Sequence, residues 1–249
     1  MAKLPDILVI PDTQCKAGGS VAHIRKARNY IVEHRPAVIV QIGDWYDMES
    51  SSVYSTGLAA EGRRIIKDVN AGNLALDALM HKWPKGYKPK LVWTMGNHEE
   101  RLSRYVNNHP EMRGLVTLEM FDFYRRGWSV HTFLKVVEIH GVTFSHFFPR
   151  SGNGRVMQNK RGAPSAKTQL DREGRSCVAG HCQGFDYANK PVGGRLTHSV
   201  IAGSFYDHDE EYLSPQGNDY WRGLVHLHDV RAGNFELELC SIDYLNRHY

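Results

Sequence analysis

The chain has 249 residues, 41% hydrophobic and 23% charged, the balance of a globular protein with a sizeable core rather than a disordered or fibrous one. No apolar run reaches the roughly 18 residues of a membrane span, and Met1-Ala2-Lys3-Leu4-Pro5-Asp6 lacks the apolar segment of a secretory signal, so a cytoplasmic protein with no membrane partner is expected. A formal net charge of +4 suits a phosphate-bearing substrate but is too small to argue for long, nonspecific nucleic-acid binding.

In chain order, the apolar run Ile7–Pro11 reads as a buried strand ending in Asp12. After the Gly18–Ser20 turn, Val21, Ile24, Ala27 and Ile31 share one face of a helix expected over Val21–His34. Pro36 forces an extended chain into strand Val38–Ile42, which ends in Gly43-Asp44. The long loop Trp45–Gly62 carries Trp45, Tyr46 and Tyr54, which either anchor the loop or stack on a base. Ile65, Ile66, Val69, Leu76, Leu79, Met80 and Trp83 predict a helix over Glu61–Trp83, stopped by Pro84 and Gly86. Strand Leu91–Met95 runs into Gly96-Asn97-His98, followed by a polar helix over Glu99–Asn107 and another helix over Leu115–Arg126.

The second half changes character. Short runs at Val130–Phe133, Val136–Ile139, Val142–Ser145, Cys177–Ala179, Leu196–Ile201, Leu224–Leu227 and Phe235–Ser241 predict a mostly β half, with one short helix near Ala163–Arg172. No linker separates the halves, so one domain over residues 1–249 is expected. The stretch Phe147–Arg175 holds seven Lys or Arg (Arg150, Arg155, Lys160, Arg161, Lys167, Arg172, Arg175) and reads either as a solvated loop or as a flap facing phosphate. Its Gly152-Asn153-Gly154 lacks the third glycine of a dinucleotide fingerprint, since Met157 stands there. Cys15, Cys177, Cys182 and Cys240 form no CxxC pair and read as reduced thiols.

Five of the apolar runs end in a residue with a metal-binding lone pair: Asp12, Asp44, Asn97, His146 and His181. One Asp or His at a strand end commonly caps a turn. Five of them, several beside glycine, point to a metal site beyond the carboxyl ends of a sheet. Two ions about 3.5–4 Å apart clamp a phosphate, generate a hydroxide nucleophile and neutralise transition-state charge.

The ordered set Asp12-x-Gln14, Gly43-Asp44-x-x-Asp47, Gly96-Asn97-His98-Glu99, His146 and Gly180-His181-x-Gln183 resembles the calcineurin-like metallophosphoesterases over residues 6–185. Residues Ala202–Asp209 and Pro215–Asn218 are similar to a phage-encoded branch, which would place the protein in a host cytoplasm. The resemblance implies a four-layer α/β/β/α sandwich and two divalent metal ions. Asp44 would bridge them; Asn97, His146 and His181 would complete the ligands of the second ion, and Asp12, Gln14 and Gln183 those of the first. His98 would act as general acid or phosphate contact, oriented by Asp47.

Where the family carries His, this chain has Gln14 and Gln183, both on the first ion. Amide and carboxylate oxygens suit hard ions, whereas imidazole suits Zn²⁺, Fe and Ni²⁺. Unequal sites are therefore expected, with Mn²⁺ the best fit for activity and Mg²⁺, Zn²⁺ or Ni²⁺ as alternatives; the other outcome is a vestigial first site and a single ion. A thiolate from Cys15 or Cys182, which neighbour Gln14 and Gln183, would instead favour Zn²⁺. Met48 replaces the phosphate-gripping Arg of the protein phosphatases, so the clamp must come from Arg101, Arg104 or the basic stretch, with His208 at the pocket rim. The leading reading is a phosphodiesterase or nuclease acting on a nucleotide or nucleic acid. The alternatives are a phosphomonoesterase and a degenerate metal-binding scaffold without catalysis.

Overall fold

The computed structural model describes residues 4–52, 61–148, 164–209 and 218–249. Tyr54, Gly152–Gly154, Pro215–Gly217 and most of the basic stretch lie outside them. The elements run β1 (Ile7–Ile10), α1 (Ala22–His34), β2 (Val38–Gln41), α2 (Ile65–Met80), β3 (Lys90–Thr94), α3 (Asn97–Asn108), β4 (Ser129–His131), β5 (Val137–Ile139), β6 (Val142–Ser145), α4 (Ala166–Glu173), β7 (Cys177–Ala179), β8 (Phe185–Val192), β9 (Arg195–Ala202), β10 (Gly223–Arg231), β11 (Asn234–Ser241) and α5 (Ile242–His248).

Two sheets result, ordered β11-β10-β1-β2-β3-β4 and β5-β6-β7-β9-β8. The β1-β2-β3-β4 and β6-β7-β9 segments are parallel. Alternation along β1 explains the layering. Ile7 and Val9 join Val40, Phe144 and Val200 in a core between the sheets, while Leu8 and Ile10 join Ile24, Ile31, Leu76 and Leu79 of α1 and α2 on the other face. A smaller cluster of Ala166, Cys177 and Ile201 seats α4 on the outside of the second sheet. The layers are thus helix, sheet, sheet, helix, as the metallophosphoesterase sandwich requires.

Three expectations need correction. The helix expected over Leu115–Arg126 is a series of 3₁₀ turns at Leu118–Met120 and Asp122–Tyr124. Phe121 and Phe123 are both fully buried, stacking on Tyr46 and Trp93 at 4.3 and 4.2 Å. Residues two apart point to opposite sides of an α-helix, so a surface helix with one buried face would not bury both. The β half is also not a separate layer: β10 pairs antiparallel with β1 and returns to the first sheet. Finally, the donors do not gather at one sheet's edge. β1, β2 and β3 deliver Asp12, Asp44 and Asn97 from the first sheet, while β6 and β7 deliver His146 and His181 from the second.

Candidate metal centre

Parallel strands end on the same side, and each chain leaves its strand by a sharp turn. Asp44 (φ 52), Gln14 (φ 43) and His181 (φ 69) all adopt left-handed backbone, a conformation that costs about 1–3 kcal/mol in side chains of this kind and clusters at functional sites. Main-chain bonds hold these turns: the Thr13 and Gln14 N–H groups both donate to the Asp44 carbonyl, at 2.9 and 2.8 Å. Two glycines let the turns approach. A Cβ at Gly96 would overlap Asp44 Oδ1 and its main-chain N, and one at Gly180 would stand 2.6 Å from Asp12 Oδ1.

One ligand atom each from Asp44, His146 and His181 lies within 4.8 Å of the other two. His146 is fully buried, and its Nδ1 donates to the Ile42 carbonyl at 2.9 Å, which turns Nε2 toward Asp44 Oδ2 at 3.3 Å. Such a bond fixes the tautomer of a ligating histidine. Asn97 Oδ1 stands 3.0 Å from His146 Nε2 and 2.7 Å from His181 Nδ1. Four expected ligands of the second ion thus meet, with the nitrogen and oxygen donors that a divalent ion takes.

The first set is looser. Asp12 Oδ2 and both amide atoms of Gln14 are buried with no hydrogen-bond partner. Orphaned buried donors and acceptors cost about 1–3 kcal/mol each, and an oxygen-coordinated cation would satisfy the two oxygens. Gln183 Oε1 differs, since it accepts the Tyr206 hydroxyl at 2.7 Å. The residues present therefore fit a cation at both sets, through more nitrogen at one and more oxygen at the other.

Charge follows this crowding. Burial lifts the Asp12 carboxyl to about 8. Burial also acts to raise Asp44, but His146 and His98 outweigh it and hold Asp44 well below the usual carboxylate range. His146 resists charging through burial, yet Asp44 and Asp12 carry it up to about 9, while burial and the neighbouring His146 push His181 down to about 4.

His98 sits beside this set at the start of α3, where its main-chain N–H donates to Asp44 Oδ1 at 2.9 Å. Its Nδ1 donates to the Asp47 carbonyl at 2.7 Å, with Asp47 Oδ1 at 3.2 Å. Arg101 Nη1 donates to the same carbonyl at 2.9 Å, and Nη2 lies 2.9 Å from His98 Nε2. Burial opposes protonation of His98, but Asp44 and Asp47 prevail and its pKa rises.

Other expectations divide. His208 stacks on Tyr206 at 4.6 Å and lines a cavity of about 140 Å³ with Gln14, Lys16 and His23. Arg104 is exposed. Trp45 and Tyr46 are fully buried, with the Trp45 indole donating to Gly72 O at 2.9 Å, so they anchor the loop and do not stack on a base. Cys15 packs against the helix-side core and Cys182 against the α4 cluster, and burial raises the Cys15 thiol well above its ordinary value, which disfavours a thiolate there.

Sequence reasoning assigned no role to Glu99, which is fully buried and accepts the N–H groups of Asp44, Tyr46 and Gly96 at 3.0, 2.9 and 2.7 Å. The signal was the capping-box spacing from Gly96 to Glu99. Tyr206, the donor to Gln183, had no sequence signal.

No curated protein matches the chain. The family profile for calcineurin-like phosphoesterases matches residues 5–181. That span covers most of the sequence and runs from the start of β1 to His181, two residues short of Gln183, so the chain belongs to the calcineurin-like phosphoesterases.

Proposed function

We propose that this chain is a two-metal phosphodiesterase acting on a nucleotide or nucleic acid. Membership of the family brings the coarser statement, a hydrolase of phosphate esters that uses divalent metal ions. The observation that supports the finer reading is the juxtaposition of Asp44, Asn97, His146 and His181 with the His98–Arg101 pair. Asp44 would bridge the two ions, Asn97, His146 and His181 would complete the second ion's ligands, and Asp12, Gln14 and Gln183 those of the first, with Mn²⁺ the best fit for activity. When bound, the ions lower the pKa of water and neutralise charge on the phosphate.

The chain's own residues supply the rest. Arg101 grips a non-bridging phosphate oxygen, the role left open by Met48. His98, held from Nδ1 by Asp47, would give an Nε2 proton to the leaving oxygen once Arg101, whose Nη2 donates to that nitrogen here, turns to the phosphate; Asp44 and Asp47 favour the protonated imidazole. His208 lines the rim on the first-ion side. The likeness of residues 202–209 to phage-encoded members supports nucleic acid or nucleotide as substrate.

Turnover of bis-p-nitrophenyl phosphate and p-nitrophenyl phosphate, each with Mn²⁺, Mg²⁺, Zn²⁺ and Ni²⁺, tests the proposal. Faster diester hydrolysis with Mn²⁺ is expected. Preference for the monoester would reject the diester reading, and no turnover with any metal would favour the scaffold. One observation speaks for a single-ion form: Tyr206 already occupies one lone pair of Gln183 Oε1. The amide oxygen keeps a second lone pair, so both contacts are compatible.

A further inference from the structure

At the opposite end of β1 from Asp12, a second group of ligand-type side chains gathers on the helix-covered face of the first sheet. We propose that Asp6, His226 and His228 bind a single Zn²⁺ ion that clips the start of β1 to β10, separate from the phosphoesterase centre. One ligand atom from each lies within 4.8 Å of the other two. Ligand atoms about 2.0–2.2 Å from a tetrahedral zinc stand about 3.3–3.6 Å apart, so small side-chain movements close the site.

The topology explains why these three meet. His226 and His228 are two apart on β10 and therefore share a face. β10 runs antiparallel to β1, pairing Leu8 with His226, which brings Asp6 alongside His228. Asp6 Oδ1 is 3.8 Å from His228 Nδ1, and it accepts the Asp229 N–H at 3.2 Å, which holds the carboxylate in place.

Each imidazole is oriented through its other nitrogen. His228 Nε2 lies 2.5 Å from Glu238 Oε2, on the neighbouring β11, leaving Nδ1 toward Asp6. His226 Nδ1 lies 2.7 Å from the Tyr30 hydroxyl. Its Nε2 has no hydrogen-bond partner, although the residue is only 1% exposed. Carboxylate or hydroxyl contacts behind a histidine are the usual means of setting a metal ligand's tautomer. The orphaned Nε2 is the independent sign that a ligand belongs here. With the His228 side chain 30% exposed, an ion has a path in and a water can take the fourth position. Two imidazoles and one carboxylate, with a water in the fourth position, suit the tetrahedral shell of Zn²⁺.

The test compares zinc content. The full chain and its Asp6→Asn and His228→Gln variants are equilibrated with Zn²⁺, desalted and analysed for bound metal, with folding checked by circular dichroism. Wild type is expected to hold one more equivalent than either variant, with hydrolysis of the phosphate ester unchanged in all three. Zinc is also expected to raise the unfolding temperature of wild type by roughly 5 °C more than that of the variants. Equal zinc content in folded variants and wild type overturns the proposal. Should either variant fail to fold, anomalous scattering at the zinc edge from wild-type crystals decides: a peak among Asp6, His226 and His228 supports the site, and its absence there overturns it.

Discussion

Glu99 Oε2 accepts the main-chain N–H of Asp44 at 3.0 Å, tying the proposed bridging carboxylate to the first turn of α3. The same side chain accepts from Gly96 and Tyr46, so one buried carboxylate sets the geometry of two of the strand-end turns. Glu99→Ala would leave three buried donors without acceptors, each worth about 1–3 kcal/mol. Denaturant unfolding should show a loss of about 3 kcal/mol or more, and metal affinity measured by calorimetry should fall with it. Unchanged affinity in a folded variant would mean that the turn holds Asp44 without Glu99.

His98→Ala should leave metal binding close to wild type while lowering diester turnover by about 10²–10⁴-fold, the usual contribution of a general acid. The loss should shrink for esters whose leaving group needs no proton. Calorimetry on the variant separates this from a structural defect: lost metal binding would reassign His98 to the metal shell.

The two metal sets should not behave alike. Titration with Mn²⁺ should give two steps of different affinity, the weaker assigned to Asp12, Gln14 and Gln183. Gln14→His with Gln183→His places imidazoles at that set and should tighten the weaker step and move metal preference toward Zn²⁺ and Ni²⁺. Two equal, tight Zn²⁺ sites in the Asp6→Asn variant, which lacks the proposed β1–β10 zinc site, would contradict the difference in donors.

Gly96→Ala tests the close approach directly. The new methyl would overlap the Asp44 carboxylate and its main-chain nitrogen. Because one contact is backbone, no side-chain rotation relieves it. A stability loss of about 1–3 kcal/mol is expected, as for overpacking in a dense core, with turnover reduced more than stability alone accounts for.

The strands that carry the donors were legible because buried parallel strands are short, continuous apolar runs; β6 and β7 match their expected limits, Val142–Ser145 and Cys177–Ala179. The α/β/β/α layering followed from the motif resemblance, not from periodicity. β8 escaped because its half-exposed sequence, with Lys190 and Pro191, is that of an edge strand protected against further pairing. α5 is only seven residues, and its signal was a single N-cap, Ser241 accepting from the Tyr244 N–H at 3.0 Å. The site's partners were harder still. Tyr206 reaches Gln183 and Glu99 reaches Asp44 through contacts between segments 23 and 55 residues apart, which no local pattern encodes.

Asp68 gives a pH test away from the metal sets. Its Oδ2 accepts the Ser50 N–H at 2.9 Å, fastening α2 to the turn after Met48. Burial raises its pKa above the ordinary 3.8, outweighing the Ser50 hydrogen bonds that lower it. A carboxyl with a raised folded-state pKa binds its proton more tightly in the folded chain than in the unfolded one. Its contribution to stability is therefore greatest below the ordinary value and declines as pH rises through the raised one. Asp68→Asn keeps an oxygen for Ser50 and removes the charge. The variant should unfold at an equal or higher temperature than wild type at pH 7, and that difference should shrink or reverse near about pH 4. A variant less stable than wild type at pH 7, with the gap closing on acidification, would mean that the ionised carboxylate is the stabilising form and that its pKa is lowered by folding.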